Sequence, residues 1–409
     1  MTVSREVELE GHIIDSGMMG TAMGIIMDMG GSFEVEEFTI GRHETAHSYA
    51  RLLVEAPDEE TLQSIVHELH QNGANPSDPR DADLVPAPDD QVVPEGFYST
   101  TNHPTDVRID GEWLTVEDIE MDCAVVVSDG ETPRAVTKVL NAIEEGDLVV
   151  TGETGIRVRP PERPRGTEGA FGFMQGGVSS ERPSESTIAS IAEAIEETKR
   201  EGGEVLAVCG PALIHSGARE DMARLVREGY VDMLSCGNGF AVHDLERDLY
   251  GTSLGMDTES LDHPRKGHKH HIYTISEIIR AGGIDEAVAN GTVDSGVMYE
   301  CETNDVPYVI AGSIRDDGPL PETITDAIEA QNAIREQAHR ADLVLMLATL
   351  LHSVAVGNCL PSTTRTVCVD INPATVTQLL DRGSDQAVGM VTDIGTFVPI
   401  LAENLFDER

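Results

Sequence analysis

The chain has little basic charge. Of its 409 residues, 28 are Lys or Arg against 73 Asp or Glu, a formal net charge of −45 at pH 7. Its lysines are Lys138, Lys199, Lys266 and Lys269. Nucleic-acid backbones are held by Lys and Arg, so a field this acidic argues against binding nucleic acid as a bulk polyanion. The same field makes a folded chain repel itself. Molar salt, which shortens the Debye length to about 3 Å, supplies the screening, and the composition is that expected of a protein from a halophilic archaeon. An acidic excess can instead mean disorder, but these acids are spread through periodic, well-punctuated segments and 40% of the residues are hydrophobic.

Long apolar runs are also lacking. No stretch approaches the 18 or so residues a membrane helix needs, and the start MTVSREVELEGH has no apolar signal core, so a cytoplasmic location and no membrane partner are expected. Cysteine is scarce: Cys123, Cys209, Cys236, Cys301, Cys359 and Cys368 include no C-x-x-C pair. They are expected to be buried free thiols, with no metal site.

The length suggests two or three domains. In residues 1–95, VELEGHII and SFEVEEFTIG read as strands around a Met-rich helix ending at Gly30-Gly31. SYARLLVEA is a further strand, and Asp58 caps a helix running to His70. That order begins a ferredoxin-like or ACT-like α+β module, followed by a Pro- and Asp-rich linker over 73–95. Residues 96–182 carry short strand signals, among them VRIDGEWLTVE with an Asp-Gly turn, and form a small β-rich middle domain. Residues 183–409 alternate helices with six apolar strands: VLAVCG, VDMLSCG, VPYVIAG, DLVLMLATL, TVCVDI and AVGMVTD. Strands apolar throughout belong to a parallel sheet covered on both faces, so the fold class is α/β with a C-terminal doubly wound domain.

Ligands of such sheets bind at the carboxyl ends of the strands. Those ends read Cys209-Gly210-Pro211-Ala212, Cys236-Gly237-Asn238-Gly239, Ala311-Gly312-Ser313, Ala348-Thr349-Leu350-Leu351-His352, Asp370-Ile371-Asn372 and Asp393-Ile394-Gly395. Small residues let a ligand approach the backbone, and the helix N-termini that follow present N–H groups to phosphate. Asp370 is placed to accept hydrogen bonds from ribose hydroxyls. These ends predict a nucleotide site, although Gly and Asn are also plain turn formers. Gly237-Asn238-Gly239 lacks the third glycine of a dinucleotide fingerprint, which points to a variant sheet.

Three further clusters stand out. The insertion 252–272 carries HPRKGHKHH, with His263, Arg265, Lys266, His268, Lys269, His270 and His271. Two lysines within four residues, in a chain that has nearly abolished lysine, suggest a base or proton shuttle; a metal site and a solvated basic loop are the alternatives. Arg315-Asp316-Asp317-Gly318 follows a strand end, where a guanidinium suits a carboxylate and an Asp suits an ammonium or a ribose. Ser99 to Thr105 is a polar loop with either a ligand or turn and capping roles.

Together EGHIIDSGMMGTAM, FYSTTNHPT, GEWLTVEDIEMDC, GNGFAVHDLE, GHKHHIYTI, AGSIRDDGPLPE and ATLLHSVAVGN resemble the archaeal family named after the conserved region of the LOR/SDH lysine-degradation enzyme. The resemblance spans nearly the whole chain. It implies an NAD-dependent ornithine cyclodeaminase of archaeal type, similar to the C-terminal part of cyanobacterial arginine-to-proline enzymes. Lacking their N-terminal arginine-hydrolysing domain, the chain is expected to start from ornithine. It also implies a C-terminal sheet similar to the deoxyhypusine synthase and sirtuin type. The implied NAD contacts are Asn238, Gly239, Asp316, Thr349, Leu350, Leu351, His352, Asp370, Asn372, Asp393 and Ile394. In the implied reaction NAD takes hydride from Cα while a base, Lys269 or the neighbouring His270, removes an α-amine proton. The δ-amine then attacks the imine, ammonia leaves, and the cyclic imine recovers the hydride as L-proline; Arg315 is the expected carboxylate partner. The alternatives are a deoxyhypusine-synthase-type transferase using Lys269, a lysine or saccharopine oxidoreductase, and an NAD-loaded amino-acid sensor; a sirtuin-like deacylase lacks its usual four-cysteine zinc module. A small-molecule amino acid is the expected substrate, and a homo-oligomer the expected assembly.

Overall fold

A computed structural model describes residues 2–14, 16–43, 46–76, 80–128, 133–160, 185–254, 256–257, 269–316, 318–382 and 387–406. The chain divides into two compact units, Met1–Glu168 with Leu360–Thr363, and Gly169–Cys359 with Thr364–Arg409.

The first unit opens with β1 (Val3–Gly11), α1 (Met18–Asp28), β2 (Ser32–Thr39), β3 (Ser48–Ala56), α2 (Glu59–Gln71) and β4 (Asn75–Pro76). The sheet order is β2-β3-β1-β4, with every neighbouring pair antiparallel. Alternation along β3 buries Ala50, Leu52, Val54 and Ala56 in one core with Ala22 and Ile26 of α1 and Leu62, Ile65 and Leu69 of α2. α2 starts where expected: the Asp58 carboxylate accepts from the Thr61 backbone N–H at 2.8 Å, a bond that holds its pKa below the usual range.

A second sheet follows, from β5 (Asp83–Pro86), β6 (Thr105–Ile109), β7 (Glu112–Glu117), β8 (Ala124–Val127), β9 (Ala135–Lys138), β10 (Leu148–Thr151) and β11 (Ile156–Val158), in the order β11-β6-β7-β9-β8-β10-β5. The Asp-Gly hairpin turn is present; Asp110 and Gly111 both have positive φ, 51° and 85°, as a two-residue turn matching strand twist demands. The stretch expected as a linker supplies β4 and β5. β5 pairs antiparallel with β10 at the sheet edge, where a terminal Pro86 interrupts no ladder.

The second unit is wound from α3 (Glu185–Arg200), β12 (Val205–Cys209), α4 (Ala212–His215), α5 (Arg219–Arg227), β13 (Met233–Gly237), α6 (Asn238–Tyr250), the short pair β14 (Thr252–Ser253) and β15 (Met256–Asp257), α7 (His270–Ala281), α8 (Ile284–Ala289), α9 (Val297–Thr303), β16 (Tyr308–Ala311), β17 (Thr323–Ile324), α10 (Ala327–Arg340), β18 (Leu343–Leu347), α11 (Leu351–Cys359), β19 (Arg365–Asp370), α12 (Pro373–Arg382), β20 (Ala387–Val391) and α13 (Ile394–Phe406). Its main sheet runs β17-β16-β13-β12-β18-β19-β20, parallel throughout. The six expected strands are there, and β17 adds a two-residue edge too short to show a periodicity. From β12 the chain winds outward through β13, β16 and β17, then returns to lay β18 on the other flank of β12. Loops leaving β12 and β18 therefore diverge, and a crevice opens at their carboxyl ends.

Candidate functional site

The crevice begins with a close backbone approach. Gly210, which follows β12, donates its N–H to the Leu347 carbonyl at 2.9 Å. A Cβ on Gly210 would lie 2.0 Å from the Ala348 carbonyl oxygen, so only glycine fits. Ala348 has φ 51° and donates its N–H to the Val369 carbonyl at 2.9 Å; a left-handed alanine costs roughly 1–2 kcal/mol, strain held at the switch point of the sheet. At the neighbouring strand end, a Cβ on Gly237 would lie 2.7 Å from His352 Nε2, so that imidazole covers the tip of β13. Burial pushes the His352 pKa down and keeps the ring neutral at pH 7.

Above these glycines lies a cavity of about 740 Å³, lined from β12, α6, α7, the turn after β16 and α11, a size typical of small-molecule sites. α6 points its N-terminus there: Gly237, Asn238, Gly239 and Phe240 all line the cavity. The first N–H groups of a helix have no partner inside it and carry partial positive charge, which suits a phosphate. The Asn238 side chain is committed elsewhere. Its oxygen accepts from Leu320 N–H (3.0 Å) and Thr323 Oγ1 (2.9 Å), and its amide donates to the Gly318 carbonyl (3.1 Å), pinning the 318–323 segment. Arg315 and Asp316 also line the cavity. Arg315 is exposed, whereas the Asp316 carboxylate accepts from Ser313 N–H (2.7 Å) and Ser313 Oγ (3.1 Å) and braces the turn.

The structure gathers part of the expected set. Asn238, Gly239, Arg315, Asp316, Thr349, Leu351 and His352 line this cavity, while Leu350, Asp370, Asn372, Asp393 and Ile394 stand at strand ends outside its lining. Asp370 Oδ1 accepts from Asn372 N–H (2.8 Å), and Asn372 Oδ1 from Ala374 N–H (3.0 Å) at the start of α12. Lys269 is exposed at the N-cap of α7. His270 turns away from the cavity, stacking on Tyr250 with ring centroids 4.8 Å apart, and its Nδ1 lies 2.8 Å from Thr252 Oγ1; the next residue, His271, is the one that lines the cavity. His263, Arg265, Lys266, His268 and Asp317 lie outside the described residues.

Two cavity histidines were not singled out from sequence. His215, at the end of α4, and His243, one turn into α6, meet edge to face with centroids 5.1 Å apart. Ser253 Oγ lies 2.6 Å from His215 Nδ1. Burial, with the adjacent His243 adding to it, pushes the His215 pKa down to about 4. His243 Nδ1 lies 2.9 Å from Glu246 Oε2, and Thr252 Oγ1 donates to Glu246 Oε1 at 2.8 Å. Glu246 is 0% exposed. The available signal was the spacing His243-x-x-Glu246 on a helix that starts at a glycine-rich strand end; i and i+3 share a face.

The remaining clusters have structural roles. In the first unit, Thr100 Oγ1 donates to the Glu120 carbonyl (2.6 Å) and accepts from Cys123 N–H (2.9 Å), and His103 Nδ1 lies 2.9 Å from Ser362 Oγ. All six cysteines are buried thiols, and burial raises the Cys209 thiol well above its ordinary pKa, which makes it a poor nucleophile. Among the described residues no three His, Cys, Asp or Glu converge as a metal site, and no helix is long and apolar enough to cross a membrane.

Residues 4–103 match the LOR/SDH bifunctional enzyme conserved region, residues 104–188 the first region of the arginine dihydrolase ArgZ-like C-terminal part, and residues 189–401 its Rossmann-fold region. The chain is 54% identical to the ornithine cyclodeaminase of Methanopyrus kandleri, over 98% of this chain and 96% of that one. It is similar to the crystal structure of apo ArgZ, an arginine dihydrolase from the ornithine-ammonia cycle in cyanobacteria, at 38% identity and a TM-score of 0.85, covering 99% of this chain and 58% of that one. It is also similar to the ternary complex of AgrE with ornithine and NAD+, at 42% identity and a TM-score of 0.54, covering 99% and 57%.

Proposed function

This chain belongs to the ornithine cyclodeaminase family with ArgZ-like C-terminal regions, and from that premise we propose that the cavity of its second unit is where L-ornithine becomes L-proline and ammonia. The activity is that of an NAD-dependent ornithine cyclodeaminase. The observation that carries the assignment to this cavity is its construction: a glycine-floored crevice at the switch point of a parallel sheet, headed by the N-terminus of α6.

NAD fits the groups present. The α6 N–H groups at Asn238 and Gly239 suit the pyrophosphate, and Gly239, where a Cβ would meet only Pro211 at 3.7 Å, leaves room for close approach. We assign Asp370 with Asn372 to the ribose end, and Asp316, Thr349, Leu350, Leu351, His352, Asp393 and Ile394 to the remaining contacts. When bound, NAD accepts hydride from the substrate Cα and returns it later in the same turnover. The protein's own work is to bind, orient and move protons. Arg315, an exposed guanidinium at the cavity, suits the substrate carboxylate, which it can engage through two parallel N–H donors. The head of α7, with Lys269 and His270, is assigned to proton transfer, and His271 is its cavity-facing neighbour.

The test is an assay in roughly molar KCl, chosen for screening, with L-ornithine and NAD. Equimolar proline and ammonia with no net NADH is the expected result. Accumulating NADH would make the protein an ordinary amino-acid dehydrogenase, and silence with NAD bound would favour a transferase or a sensor. In the same assay, Lys269→Ala leaving turnover untouched would remove Lys269 from proton transfer.

The all-antiparallel order β2-β3-β1-β4 with two helices supports a ferredoxin-like or ACT-like module within domains 1–95, 96–182 and 183–409. The missing third glycine supports a C-terminal sheet of the deoxyhypusine synthase and sirtuin type. Net charge supports a halophilic source and a cytosol rich in salt, where a homo-oligomer would serve proline biosynthesis.

A further inference from the structure

The motif GNGFAVHDLE carries two residues that the cofactor assignments leave idle. His243 and Glu246 sit one helical turn apart on α6, beyond the N–H groups assigned to phosphate. His243 lines the cavity and Glu246 lies behind it, wholly enclosed. A buried carboxylate needs partners, and Glu246 has them on both oxygens: His243 Nδ1 at 2.9 Å and Thr252 Oγ1 at 2.8 Å. Thr252 is itself buried and lies 2.8 Å from His270 Nδ1. Two imidazoles, one hydroxyl and one carboxylate thus form a continuous line from the cavity wall to the head of α7.

Donor and acceptor roles along this line follow from chemistry. Thr252 donates its proton to Glu246 Oε1, so its oxygen accepts from His270. As a carboxylate, Glu246 only accepts. His243 Nδ1 must then carry the proton, which leaves the lone pair on Nε2, the nitrogen not engaged by Glu246. A carboxylate behind an imidazole fixes tautomer and ring orientation and stabilises the imidazolium that forms when the ring takes a proton.

We propose that His243 is the general base of this reaction and that Glu246 is the positioning residue that makes it one. The proposal rests on the ornithine reading. In the step assigned to it, His243 Nε2 takes a proton from the substrate's α-ammonium group: that N–H bond breaks, the electron pair stays on the α-nitrogen, and the proton forms the second N–H bond of an imidazolium. The freed pair becomes the C=N π bond as Cα gives up its hydrogen with both electrons to the nicotinamide ring, so atoms and charge balance. His270, tied through Thr252 to the far oxygen of Glu246, supports this first step, and the proton transfers assigned to the head of α7 are the later ones, at the δ-amine and the departing ammonia. Among the described residues, Glu246 and His215 meet the His243 ring directly, and the ionisable groups that share the cavity lining with it are His215, His271, His352, Arg315, Asp316 and Cys209.

The experiment compares wild type, His243→Gln and Glu246→Gln in proline formation from pH 5 to pH 10, with NAD affinity from calorimetry. His243→Gln is expected to bind NAD within about threefold of wild type and to lose about 100-fold or more in kcat. Glu246→Gln keeps the shape and an amide oxygen for Nδ1–H; it is expected to lose about tenfold in kcat with KM for ornithine nearly unchanged, and its acid limb to move to lower pH. Wild-type turnover in His243→Gln, or a Glu246→Gln profile superimposable on wild type, overturns the proposal. If His243→Gln does not fold, the Glu246→Gln profile decides alone. A wild type that binds NAD and makes no proline overturns the ornithine reading itself, and this proposal with it.

Discussion

At the scale of single residues, enclosure in the second unit sets protonation. His215 is held neutral by burial and by the facing His243 imidazole, its pKa lowered from 6.5 to about 4. A depressed folded-state value means that the unfolded chain binds a proton the folded chain refuses between those two pH values. Stability is therefore complete above pH 6.5 and falls as pH drops towards 4. Urea midpoints measured across that window should decline in wild type and decline less in His215→Asn; parallel curves would show that His215 contributes nothing to the acid limb. The lowered pKa values of His352 and His70, both by burial, add to the decline with the same sign. None of this was legible in the sequence. The basic loop stands out in the sequence by its anomalous charge, whereas His215 and His243 lie in ordinary helical segments and acquire their character only from what encloses them.

At the scale of elements, α6 does two jobs. Its backbone offers unpaired N–H groups at the N-terminus, and its first side chain, Asn238, ties down residues 318–323 with three hydrogen bonds. In Asn238→Asp the two acceptor bonds survive, but a carboxylate oxygen replaces the donor facing the Gly318 carbonyl. A destabilisation of about 1–3 kcal/mol is expected, together with weaker NAD binding as the 318–323 segment loosens; thermal unfolding and calorimetry would measure the two. An unchanged Tm would mean that this segment is held by other contacts. The start of α6 was readable because the strand VDMLSCG is apolar and Gly-Asn-Gly ends it. The Asp58 cap and the Asp110-Gly111 turn were readable for the same reason, since each signal acts within four residues. β5 was not. Asp83-Leu84-Val85-Pro86 shows no alternation, and becomes a strand only because β10 offers it an unpaired edge.

At the scale of the whole molecule, a charge of −45 is the dominant fact. Raising KCl from about 0.1 M to about 1 M shortens the Debye length from about 10 Å to about 3 Å. The Tm is expected to climb by roughly 2–4 °C, corresponding to about 2–3 kcal/mol of relieved repulsion. A Tm indifferent to salt would show that the acids are already neutralised by local pairing. Lys138 and Lys199 are each bound to an aspartate, Asp147 and Asp232, at 2.7 and 2.5 Å, so these lysines are anchors within the fold rather than a basic surface.

The sequence by itself determined the charge, the parallel character of the last half and the positions of the strand ends, because periodicity, composition and turn chemistry act over a few residues. It also carried the family, through motifs spread along nearly the whole chain. Only the tertiary structure decided which strand ends share a cavity. The order β13-β12-β18 brings Gly210 against Ala348 and Gly237 under His352, residues more than 100 positions apart. It also decided that His215 and His243 face one another and that Glu246 is closed off from water, since proximity and desolvation belong to packing and leave no trace in local sequence.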